Sequence, residues 1–114
     1  MGYLRHDAVI ALIGDYSAAE KKVPALIRKL KREWPEGLPK CILGPTLGVN
    51  GYNTWVFAPD GSKEGWDSSD LGDAMRSRFM EIMKAAGAEL VHLQFGGDDG
   101  ETKILYSTDR RKGW

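Results

Sequence analysis

Two histidines (His6 and His92), one cysteine (Cys41) and the carboxylates Glu64, Asp67, Asp70 and Asp73 are the residues best suited by type to nucleophilic, metal or acid–base chemistry. Their spacing matches none of it. The sequence holds no Gly-x-Ser-x-Gly elbow, no His-Glu-x-x-His pair and no Cys-x-x-Cys cluster. Cys41 precedes Ile42 and Leu43 and reads as a structural thiol rather than a nucleophile. The four carboxylates gather where a helix should start, where they complement its dipole or stay solvated. A divalent cation is the other reading of that cluster. Gly61-Ser-Lys-Glu-Gly-Trp66 runs into the same helix start without Walker spacing, and each carboxylate there would oppose a phosphate by about 1–4 kcal/mol at ~4 Å. No catalytic residue, resident metal or cofactor is therefore expected.

Binding is better supplied. Asn50, Tyr52 and Asn53 sit on a turn and strand, with Trp66 beyond, and amides and aromatic faces are the groups that read and stack on bases. Arg5, Lys63, Arg76 or Arg78 could pair with phosphates, and His6 adjoins Arg5. Trp55, on the opposite face of its strand from Tyr52, reads as core. Alternation over residues 90–95 separates Val91, Leu93 and Phe95 from Leu90, His92 and Gln94. If the apolar trio meets the helices, His92 and Gln94 project from the other side, into solvent, a ligand groove or an interface. The expected ligand set is Arg5, His6, Asn50, Tyr52, Asn53, Lys63, Trp66, Arg76, His92 and Gln94.

The elements that must carry these residues follow from hydrophobic period and turn chemistry. Ala8 to Ile13 is continuously apolar, which predicts a central strand buried on both faces. Ser17-Ala-Ala-Glu20 has capping-box spacing, and Val23, Leu26, Ile27, Leu30 and Trp34 recur at helical spacing. Pro24 should kink this helix or make it restart near Val23. Lys40–Leu47 predicts an irregular edge strand because Gly44-Pro45 interrupts it. Asn50-Gly51 suits a turn with positive φ, and Tyr52–Ala58 is a third strand. A second helix should begin after Ser68 or Ser69, bury Leu71, Met75, Phe79, Ile82, Met83 and Ala86, and stop at Gly87. Leu90–Phe95 and Thr102–Ser107 form a hairpin around Gly96-Gly-Asp-Asp-Gly100.

The order β-α-β-β-α-β-β predicts an α+β fold: ferredoxin-like β-α-β-β-α-β with an added C-terminal hairpin strand. Both helices would cover one face of an antiparallel sheet and leave the other open. A length of 114 residues fits one domain, residues 1–114, with 1–6 and 110–114 expected to be flexible.

The 16 basic and 16 acidic residues cancel, which argues against a nucleic-acid coat protein or a polybasic membrane binder. The cancellation hides a polarity. Residues 1–57 hold 8 basic and 5 acidic side chains, and residues 58–114 hold 8 and 11. Most of the basic excess lies on the first helix, where it reads as a solvated face or, lacking interleaved aromatics, a weak nucleic-acid stripe. No signal peptide or membrane span is expected, because the longest apolar run is far below the ~20 residues a spanning helix needs. A single cysteine forms no internal disulfide, which suits a reducing cytoplasm.

Arg5-His6, Asn50-Gly-Tyr52, Pro59-Asp-Gly-Ser-Lys-Glu-Gly-Trp66 and Ser69-Asp-x-Gly-Asp73 resemble features of small accessory proteins of tailed phages, especially those of actinobacteria. The resemblance runs over about residues 3–109. It implies an accessory protein in the host cytoplasm and carries no assigned chemistry. The functional expectation is a non-enzymatic protein that binds a small anionic ligand, with sequestration of a cyclic nucleotide immune signal as the specific form. Its partners would be that nucleotide-like molecule and further copies of itself, with no polymeric nucleic acid and no membrane. The alternatives are a protein–protein module that inhibits a host enzyme, and a small hydrolase built on His6, His92 and carboxylates.

Overall fold

The computed structural model describes residues 3–4, 6–14, 20–34, 38–61, 63–64, 67–98 and 100–108. In chain order the strands and α-helices are β1 (Tyr3–Leu4), β2 (His6–Gly14), α1 (Val23–Glu33), β3 (Ile42–Leu47), β4 (Tyr52–Phe57), β5 (Lys63–Glu64), α2 (Asp67–Ala85), β6 (Glu89–Phe95) and β7 (Lys103–Ser107). Five strands form an antiparallel sheet in the order β3-β4-β2-β6-β7, and β1 and β5 make a separate two-residue ladder. The fold is α+β, with two helices and one main sheet.

Each helix takes its place from local chemistry. The three-residue 3-10 turn Glu20–Lys22 leads into α1, with Pro24 in the first turn where a missing N–H costs nothing. The helix therefore restarts at Val23, as its proline predicts. The Ser17–Glu20 capping box lies outside the described residues. Val23, Ile27 and Leu30 are the buried positions of α1. α2 ends in a Schellman-type close, with Gly87 at φ +80° and the Ala88 amide donating to the Met83 carbonyl at 3.0 Å. Its buried stripe is Met75, Phe79 and Met83, while Leu71 is exposed and Ile82 and Ala86 are only partly covered. α2 also starts at Asp67, ahead of the expected Ser68 or Ser69.

Both helices pack into one core with Val9, Ala11 and Ile13 of β2, Ile42 of β3, Trp55 and Phe57 of β4, and Leu90 of β6. Phe57 meets Phe79 edge-on, with ring centroids 5.8 Å apart. The Cα extents of 46 × 38 × 20 Å fit two layers at a spacing of about 10 Å.

The strand register corrects two expectations. β2 is central, but only its Val9–Ala11–Ile13 side is buried; Ile10 is exposed, and Ala8 and Leu12 are partly so. Its apolar run arises because both faces of the sheet are apolar, not because both are covered. On β6 the predicted facing is inverted. His92 pairs in register with Val9 and Gln94 with Asp7, both on the helix-covered side. Val91, Leu93 and Phe95 therefore occupy the open face. β3 is an edge strand with a bulge between Leu43 and Thr46, where Pro45 offers no ladder donor. A second bulge between His92 and Leu93 interrupts the β6–β7 ladder and leaves Leu105 without a register partner.

Candidate functional site

Three of the predicted residues meet at one place. Arg76 of α2 and His92 and Gln94 of β6 line a cleft of about 310 Å³ with Asp7, Asp73, Ser77, Met80 and Leu105. That volume is at the small end of the ~300–1,000 Å³ range of ligand pockets. The fold assembles the cleft by three local devices. Alternation turns Asp7, His92 and Gln94 to the α2 side, the helical period places Asp73, Arg76, Ser77 and Met80 on the facing surface, and the β7 bulge brings in Leu105.

Asp7 is the hub. Only 7% of its surface is exposed, and its Oδ1 lies 2.9 Å from His92 Nε2 and 3.2 Å from Gln94 Nε2. Burial pushes the Asp7 carboxyl up. The His92 hydrogen bond, the Arg76 and His92 charges and the Gln94 amide together outweigh that, and hold it below its ordinary value of 3.8. Asp7 is thus an ionised acceptor at neutral pH, and His92 Nε2–H donates to it.

Arg76, 5% exposed, is engaged on several sides. Its Nη1 donates to Asp73 Oδ1 at 2.8 Å, its Nη2 lies 3.6 Å from Asp60 Oδ2, and its Cζ sits 5.3 Å from the Phe57 ring centroid. Its Nε is buried without a hydrogen-bond partner among the described residues. Gly72 lets α2 lie close to the Asp60 turn: a Cβ there would collide with the Asp60 carboxylate.

The remaining predicted residues are elsewhere. His6 lies on the open face beside Phe95, with ring centroids 5.7 Å apart. Tyr52 is exposed on that same face, at the far end of β4, while Asn53 is buried opposite Ile13. Asn50 takes φ +62° and Gly51 φ +73° in the turn before β4, so the turn itself accounts for both residues. Lys63 is on β5, paired with Leu4, and its side chain lies outside the described residues, as do Arg5 and Trp66. The expected stacking-plus-phosphate set is therefore not gathered by the described residues. Trp55 is buried in the core, as its strand position predicts.

The cleft's chemistry is that of a carboxylate-rich polar network, paired at Asp7 but leaving Arg76 Nε without a hydrogen bond among the described residues. Asp7 and Asp73 outnumber the Arg76 guanidinium, and each carboxylate would oppose an incoming anion by about 1–4 kcal/mol at ~4 Å. His6 and His92 occupy opposite faces of the sheet and cannot act on one substrate atom. Ser77 lines the cleft but makes no hydrogen bond to His92, so the nucleophile–base contact of acyl transfer is not made. The Cys41 thiol is pushed up by burial and by the Asp60 charge, against the smaller pull of Arg76, and stays protonated at neutral pH. Among the described residues, no three carboxylate, histidine or cysteine side chains group to hold a metal ion, and no helix is long and apolar enough to cross a membrane.

Sequence reasoning missed Asp7, although it stands two residues before Val9 on a strand whose alternate positions are core. That two-residue step was the available signal. Comparison of the chain with protein-family models, curated proteins and solved structures finds no match.

Proposed function

We propose that this protein is a non-enzymatic interaction module that works through the open face of its sheet. One observation carries the reading: Ile10 (38% exposed), Leu43 (55%), Phe95 (37%) and Ile104 (42%) lie on the face opposite the helices, with half-buried Val56 and Leu93 between them. Apolar patches of this kind beyond a few hundred Å² are rare on free monomers and mark association surfaces. The two-layer build supports this, because among the described residues no third layer covers those side chains. We further infer a ferredoxin-like arrangement. The neighbour order β3-β4-β2-β6 and the two helical connections support it, with β1, β5 and β7 as additions.

The resemblance to phage accessory proteins suggests a host protein or a further copy of the chain as the partner. The test compares tagged wild type with Ile10→Glu in pull-downs from host lysate and by self-association. A stoichiometric partner, self included, held by wild type and lost in the variant supports the reading. Equal retention by the variant, or no association of any kind, overturns it.

Capture of a small polar ligand in the Asp7–Arg76–His92 cleft is the second reading, favoured by the convergence of Arg76, His92 and Gln94. The nucleotide form of that reading has less behind it, since carboxylates surround Arg76 and Tyr52 is on the other face. Calorimetry and thermal shift against cyclic and linear nucleotides test it, and silence across that panel rejects the nucleotide form.

A further inference from the structure

We infer that the occupant of the open face is a second copy of this chain, packed sheet to sheet about a two-fold axis near Ile10. The inference rests on the interaction-module reading and names its partner.

Area is the first support. Five strands about 4.8 Å apart, each about six residues of ~3.3 Å, make a face of roughly 24 by 20 Å. That is about 480 Å² of projected sheet before side-chain relief, against the ~800 Å² per partner of a standard-size stable interface.

Charge is the second support. Among the described ladder pairs on this face there is no Lys, Arg or Asp; Glu89 sits at the start of β6 beside Leu12 and His6 at the opposite end beside Phe95, so both titratable side chains lie at the rim. A face without central charge gives a charged partner nothing to read. It is compatible with its own copy, because a two-fold axis at Ile10 sets that side chain against itself and brings no central charge of one copy against the other. Ile10 is mid-strand on β2, which has two strands on either side, so a two-fold axis there brings Ile10 against Ile10.

Edge pairing is the competing route to self-association, and both edges oppose it. β3 carries Pro45 and a bulge, and β7 is short, bulged and starts at Lys103. Self-association is thereby directed to the face.

The experiment is sedimentation velocity and light scattering on the full chain from ~1 to ~300 µM, with far-UV circular dichroism as the fold control. Wild type should run at twice the 12.6 kDa chain mass. Ile10→Glu would bury an unpaired charge on each side of the axis and should weaken dimerisation at least about a hundredfold. Leu43→Lys, at a more exposed position, should weaken it less and keeps the test open if Ile10→Glu fails to fold. Leu26→Glu, on the exposed side of α1, should leave the dimer intact. Ile10→Cys in a Cys41→Ala background should cross-link to a covalent dimer with a short bismaleimide, each thiol adding across one maleimide double bond, because stacked sheets about 10 Å apart are too far apart for a direct disulfide.

A wild type that is monomeric throughout this range overturns the inference. The interaction-module reading then stands or falls on the pull-down. A dimer that persists unchanged in both Ile10→Glu and Leu43→Lys also overturns the inference, because the contact then lies elsewhere.

Discussion

Asp7 and His92 are diagonal neighbours across the β2–β6 ladder: Asp7 is in register with Gln94 and His92 with Val9, yet His92 Nε2 lies 2.9 Å from Asp7 Oδ1. Because Asp7 also takes the Gln94 amide, one carboxylate anchors two successive inward positions of β6. This short network sets which side of β6 faces the helices.

The pH dependence follows from that anchor. A carboxyl held below its ordinary 3.8 when folded contributes stability that is fully present above 3.8 and is lost as pH falls through the lower folded-state value. Urea midpoints should therefore drop as pH is lowered below about 4. In Asp7→Asn that acid-dependent loss should shrink, while stability at pH 7 falls by about 1–3 kcal/mol from the broken charge-assisted bonds. An Asp7→Asn profile with the wild-type acid slope would reject this role.

Arg76 should matter more for folding than its place on a helix surface suggests. Arg76→Met leaves Asp7 and Asp60 without their shared cation and removes the contact over Phe57. The expected loss is about 2–3 kcal/mol, below the full range for a buried pair because Asp73 is solvent-exposed. Chemical denaturation measures it, and an unchanged midpoint would show that the network adds nothing.

Gly72 is fixed by close approach rather than by helix propensity. Alanine is normally the better helix former by about 1 kcal/mol. At Gly72 its Cβ would meet the Asp60 carboxylate, and Asp60 is tethered to Arg76. Gly72→Ala should therefore destabilise by about 1–3 kcal/mol, the reverse of the propensity sign. A stabilised Gly72→Ala protein would mean that the Asp60 turn yields freely.

Cys41 should be a slow nucleophile. Burial and the Asp60 charge keep its thiol protonated, and its Sγ sits 4.0 Å from the Pro59 carbonyl oxygen. Alkylation by iodoacetamide at pH 7.5 should run about tenfold or more slower in the folded protein than in urea. Equal rates would place the thiol in solvent.

The elements were legible where one local signal sufficed. Pro24 marked where α1 restarts, Gly87 marked where α2 stops, and Gly44-Pro45 marked an irregular edge strand. Residues 90–95 show what was not legible. Alternation separates the two sides of a strand but assigns neither to the core, and here the side carrying His92 and Gln94 is inward because Asp7, over 80 residues away in sequence, partners them. Val91, Leu93 and Phe95 look like core residues and lie on the open face. Arg76 escaped notice as a buried residue for a related reason. The helical period puts Arg76 beside the buried stripe, three residues before Phe79 and seven before Met83, but its charge reads as solvent-facing until the Asp60 turn, distant in sequence, supplies a buried ion-pair partner. The β1–β5 ladder was invisible because two residues carry no period.

The position of β2 has a consequence for biosynthesis. It is early in the chain, yet its two neighbours are β4, which ends at Phe57, and β6, which ends at Phe95. At ~5–20 residues per second, a ribosome needs about 4–16 s to make the ~80 residues from the end of β2 to the end of β6. Throughout that interval the most apolar strand of the sheet has an open hydrogen-bonding edge. Until β6 is made, that edge of β2 is free to pair with a strand of another chain, a hazard that grows with the time translation takes.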